Sequence, residues 1–138
     1  MGSEIFQPML TMLTLTFFVW VYMFSRRIPY LQSLNMPADQ VTSNLLNEDA
    51  PAQISNPSDN LKNLFEIPVL FYVLCLYLFV VGQVDTTYII AAWLFATLRV
   101  AHSAVHCTIN IVMLRFLIYL ASCIAVWFML FRAIWTML

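Results

Sequence analysis

Arg99, His102, His106 and Asn110 stand within one apolar stretch of this chain, spaced so that all four share one face of a helix. An ionisable side chain at bilayer depth costs about 2.5–3.5 kcal/mol on insertion scales, so it turns toward a partner or a water-filled cavity and marks a functional site by default. Arg99 carries a permanent charge on a planar donor fork that fits a carboxylate. The two histidines can donate, accept or ligate. Two readings follow: a ligand or reaction pocket, or an internal polar network that holds neighbouring helices together.

Two further groups could join that stripe. Asn63 and Glu66 lie one turn apart at the head of the apolar run Phe65-Glu66-Ile67-Pro68-Val69-Leu70-Phe71. A carboxylate there needs a cation, and Arg99 is the expected partner, in a site or in a purely structural buried pair. Pro68 removes a backbone donor and is expected to bend the helix near Glu66. Arg115 and Tyr119 share a face at i, i+4 and could hold an anion between them, or could form an ordinary interfacial pair. Lys62 reads as a snorkelling surface residue. His102 and His106, also at i, i+4, could face one zinc, but no Glu follows the first His as an HExxH site requires, and Glu66 would have to be the third ligand. The reading carries no metal.

These residues need elements to carry them. Of 138 residues 62% are hydrophobic and 9% charged, with a mean hydropathy of +0.84, whereas soluble domains carry about 25% charged residues. The chain reads as one integral membrane domain with the lipid bilayer as its surroundings. A net charge of −1 gives no sign of nucleic-acid binding. Cys75, Cys107 and Cys123 show no metal or redox spacing and read as small packing residues. The first apolar run is too long for a signal-peptide core and reads as a retained anchor.

Four helices are expected, over about residues 6–25, 61–81, 86–110 and 111–138, in an all-α, up-down transmembrane bundle. Arg26-Arg27 and Pro29 end the first. A polar loop over about 28–60 holds Asp39, Glu48, Asp49 and Asp59, with partial helix around 38–46. Asp85 suits a helix start. Arg26, Arg27, Lys62 and Arg115 gather at one side, which places the long loop in the cytoplasm and both termini outside; if the chain is bacterial, the membrane is the inner or plasma membrane.

With four helices, Asn-Leu-Phe-Glu heading the second, and Arg-Val-Ala-His-Ser-Ala-Val-His leading to Arg115, the chain resembles the MAPEG superfamily, membrane-associated proteins in eicosanoid and glutathione metabolism. It is closer to the bacterial-looking members. The resemblance implies a homotrimer whose active sites lie between subunits and bind glutathione as co-substrate. It implies that Asn63, Glu66, Arg99 and His102 contact glutathione, that His106 stands where some members have Tyr, and that Tyr119 is an aromatic contact. Arg27 would be a basic contact at the end of the first helix. Arg115 matches the catalytic arginine that stabilises the thiolate. The implied activity is a glutathione-dependent transferase or peroxidase acting on a lipophilic electrophile. The alternatives are a non-enzymatic lipid-binding or scaffold protein of the same fold, or a structural subunit of a larger complex. Asp59, Asn60, Leu61 and Lys62 depart from the arginine-rich segment of the eukaryotic members.

Overall fold

A bilayer core offers backbone groups no partners, so long apolar runs close their hydrogen bonds internally as helices. Four stretches here are long and apolar enough to cross a membrane: Ser3–Ser33, Ala52–Val80, Thr86–Cys107 and Val112–Met137. The computed structural model describes residues 2–47 and 49–138; Glu48, expected as a loop acid, lies outside them. Helix α1 is Phe6–Ser33, after a short 3-10 turn. A second 3-10 turn, Ala38–Gln40, and the five-residue α2, Ser43–Asn47, lie in the connection to α3, Ala52–Leu64. Then come α4, Ile67–Val80, α5, Thr86–Cys107, and α6, Val112–Met137. The result is an all-helical, up-down four-span bundle.

The boundaries differ from the expected ones in three places, each for a local reason. Helix α1 does not stop at Arg26-Arg27: it runs through Pro29 to Ser33. A proline inside a helix removes one hydrogen bond and kinks the axis without having to end it, and Arg27 is held by donating from Nη2 to Ser58 Oγ at 2.9 Å. The expected loop over 28–60 therefore shrinks at both ends, because residues 52–60 are the polar first half of α3. That half is amphipathic, with Ile54, Pro57, Ser58 and Asn60 buried. Helix α5 ends at Cys107, short of Asn110, which takes a left-handed φ of 44°.

Pro68 shapes the second span as its residue type predicts. Its ring clashes with the carbonyl four residues back, that of Leu64, and its nitrogen has no hydrogen to give. Helix α3 ends at Leu64, Phe65 and Glu66 leave helical geometry, and α4 restarts with Pro68 in its first turn, where a missing N–H costs nothing.

Helix α5 lies at the centre, packed against α1, α3 and most extensively α6. Small residues permit the close approach: α5 buries Ala91, Ala92 and Ala96, and α6 buries Ser122, Ala125 and Ala133. Phe71 and Phe95 stack at 4.5 Å between ring centroids in the core. The outer faces stay apolar, with Phe131 67% and Trp135 79% exposed, as lipid contact demands and water contact does not.

Candidate functional site

The buried face of α5 carries Arg99, His102, Ser103 and His106 at successive turns. Arg99 has no exposed surface at all. Its Nη2 donates to the backbone carbonyl of Asn63 at 3.0 Å. That carbonyl is available because the Pro68 break takes away its helical partner: in an unbroken helix the N–H of Ile67 would fill it. Arg99 thus caps the C-terminus of α3, where a cation also meets the negative end of the helix dipole. The remaining donors, Nε and Nη1, have no hydrogen-bond partner among the described residues. The guanidinium carbon lies 5.5 Å from the centroid of the Tyr119 ring.

One turn on, His102 packs 5.9 Å from Tyr119 and 5.6 Å from His106, measured between ring centroids. Both imidazoles are buried, and Nδ1 of each lacks a partner among the described residues. A cavity of about 210 Å³ opens beside them, lined by Asn63, His102, Val112, Arg115, Phe116 and Tyr119. Arg115, in the first turn of α6 and half-buried, donates from Nη1 to Asn110 Oδ1 at 2.7 Å. The side chain of Asn110 in turn donates to Asn56 Oδ1 on α3 at 3.1 Å.

The sequence model of the MAPEG family matches residues 5–135, nearly the whole chain. The chain belongs to the MAPEG family. Searches of the curated proteins and of the solved structures return no match. The MAPEG resemblance rested on residues between Asn63 and Tyr119, and these lie at the joint of α3, α5 and α6.

Not every expected site residue of this MAPEG chain converges there. Asn63, Arg99, His102, His106, Arg115 and Tyr119 do. Glu66 makes no ion pair with Arg99 among the described residues: it sits on the exposed side of the helix break, with a backbone that leaves helical geometry. The expected carboxylate–guanidinium pair is replaced by the Asn63 carbonyl. Lys62, an exposed surface residue, is paired with Asp59 at 3.0 Å. Arg27 is tied to Ser58 and does not line the cavity. No three His, Cys, Asp or Glu side chains among the described residues gather as metal ligands.

Sequence reasoning missed a polar seam beside the site. Asn60, fully buried, accepts from Ser103 Oγ at 3.2 Å and donates to Cys107 Sγ at 3.5 Å. Ser103 follows Arg99 by four residues, so its place on the stripe was visible. Asn60 was not, because its segment reads as loop by composition.

Proposed function

We propose that this MAPEG protein binds glutathione, or a similar anionic thiol, in the α3–α5–α6 joint and joins it through its sulfur to a lipophilic electrophile that arrives through the bilayer. The observation that carries this reading is Arg99: a fully buried guanidinium with two unpartnered nitrogens, packed on Tyr119 and one turn from His102, both of which line the cavity. A buried charge with no carboxylate in ion-pair contact is expensive, and a carboxylate-bearing ligand would relieve that cost. Asn63 and His102 would help to hold the peptide. Arg115, on the opposite wall, would favour the thiolate by offering it an opposite charge. The thiol proton leaves to water. The thiolate sulfur then bonds to an electrophilic carbon while the leaving group departs with its electron pair. With a hydroperoxide the thiolate sulfur bonds to the terminal oxygen as the O–O bond breaks, and the alkoxide leaves to take a proton from water. The peroxide is reduced to an alcohol, the sulfur is oxidised to a sulfenic acid, and a second glutathione thiol displaces water from it to give the disulfide.

Two further parts of the proposal rest on the family and on charge bias. The protein is a homotrimer, and mild-detergent native mass spectrometry is expected to show three copies. The end bearing Arg26, Arg27, Lys62 and Arg115 faces the cytoplasm; reporters fused in the loop before α3 and after Leu138 are expected to report opposite sides.

The deciding test is calorimetry of glutathione binding in detergent, followed by ultraviolet detection of bound thiolate near neutral pH and turnover of an aryl halide. Binding with a thiolate signal and halide release is expected. Binding without thiolate or turnover would leave a lipid-binding scaffold as the better reading. No binding would remove glutathione from this chain's account.

A further inference from the structure

Asn110 occupies a position where few residues are comfortable. Its φ of 44° lies in the left-handed region, where asparagine is tolerated far better than the β-branched neighbours Thr108 and Ile109 would be. Its N–H closes the end of α5 on the Val105 carbonyl at 2.8 Å. This geometry turns the side chain between two elements. Because a guanidinium can only donate, the oxygen of the Asn110 amide must face Arg115. The nitrogen then faces Asn56 Oδ1, as observed. The three side chains form a directed relay from α3 through the turn to the first turn of α6.

We infer that Asn110 is a positioning residue that aims the Arg115 guanidinium into the cavity while leaving its charge unneutralised, an inference that rests on the proposed thiol site. The chemical point is the neutrality of the acceptor. A carboxylate at residue 110 would hold Arg115 as firmly but would cancel the field offered to a thiolate. An amide fixes direction only. Asn56 fixes the amide in turn, so both turn and helix α3 decide where the positive charge stands. His102 and Tyr119 line the cavity with Arg115, Arg99 packs on Tyr119 and His106 on His102, and exposed Glu66 stands at the helix break beside Asn63. Among the described residues none of these side chains hydrogen-bonds to Arg115.

Three variants separate orientation from charge and from simple folding. Asn110→Gly keeps the left-handed backbone, which glycine adopts freely, and removes the amide. Asn110→Asp keeps the shape and the hydrogen bond accepted from Arg115, replaces the donor to Asn56 with an acceptor, and adds charge. Asn56→Ala leaves residue 110 intact and frees its amide. In detergent-purified full-length protein, the rate at which phenylglyoxal modifies Arg115, read by peptide mass spectrometry, is expected to rise severalfold in Asn110→Gly and less in Asn56→Ala. Arg132 serves as the internal control. For glutathione-loaded protein, Asn110→Asp is expected to raise the pKa of the bound thiol by about one unit, a tenfold loss of thiolate near neutral pH. Binding should change far less. An Arg115 labelling rate unchanged by Asn110→Gly would overturn the inference, and so would a bound thiol that titrates identically in Asn110→Asp. If the unmodified protein gives no thiolate signal, the proposed function fails on its own. The labelling experiment then still decides whether Asn110 holds Arg115.

Discussion

Arg99 and Arg132 are both arginines within membrane-length helices, and the protein treats them in opposite ways. At the far end of the bundle from the cavity, Arg132 donates twice to Asp85, at 2.9 and 2.6 Å, and lies 4.2 Å over the ring of Tyr88. Asp85 also caps α5 by accepting from the Tyr88 N–H at 3.0 Å. This is a fork matched to a carboxylate, with its charge answered within the chain. Arg99 is more deeply buried yet gives a single hydrogen bond, to a backbone carbonyl. A chain that can build the first arrangement has no physical obstacle to building the second. The difference marks Arg132 as a fastening between the α4–α5 turn and α6, whereas Arg99 keeps two nitrogens without a partner among the described residues, which is the feature the proposed thiol site draws on.

Substitution of the two arginines breaks the comparison most directly. Arg99→Met is expected to weaken glutathione binding by about tenfold to a hundredfold, from the loss of about 1.5–3 kcal/mol in charge-assisted hydrogen bonding. It should change thermal stability little, since removing a buried charge that has no counter-ion offsets the hydrogen bond lost by the Asn63 carbonyl. Calorimetry and a melting curve on the same sample test both halves. A clear fall in melting temperature together with unchanged binding would make Arg99 another fastening.

Pro68→Ala sharpens the contrast at intermediate size. Restoring an N–H at residue 68 lets α3 and α4 run together, so Ile67 competes with Arg99 for the Asn63 carbonyl. Slower amide exchange at residues 66 and 67 and weaker glutathione binding are expected. Exchange rates equal to those of the unmodified protein would show that the break has another cause.

At the other end, Arg132→Met is expected to cost no more than about 1 kcal/mol, because the pair is partly solvated, and to leave glutathione binding alone. The smallest effect is in pH. Arg132 hydrogen bonds hold the Asp85 carboxyl below its ordinary value of 3.8, against a smaller opposing contribution from burial. A lowered pKa in the folded state contributes stability that is full above that ordinary value and is lost as pH falls through the folded one. The melting-temperature advantage of the unmodified protein over Asp85→Asn should therefore persist at neutral pH and shrink below about pH 4. An advantage that stays constant through that range would argue against the ion pair as its source.

The two ends also differ in how far they could be read from sequence. Apolar length alone carried the four spans, because nothing but helix satisfies the backbone in lipid. Periodicity placed Arg99, His102 and His106 on one buried face of α5. Asp85 announced itself as a cap by residue type and position. What escaped were features set by tertiary contact. The polar half of α3 reads as loop until Asn60 and Ser58 are seen packed against α5 and α1. Glu66 reads as the natural partner of Arg99 until the break turns it outward. Asn110 reads as the last member of a helical stripe, whereas the stripe stops at His106 and Asn110 belongs to a turn. Composition reports which groups need partners; it does not report that a main-chain carbonyl will serve as one.

The anchoring of Arg99 on that carbonyl has a genetic corollary. A side-chain scan through position 63 leaves the acceptor in place, so Asn63 can appear indifferent in any assay of Arg99's hold on α3. The dependence surfaces instead as epistasis between positions 68 and 99, five residues from the atom that makes the bond. Variation at the proline, in a segment that touches the guanidinium nowhere else, would decide which substitutions at Arg99 a population could carry.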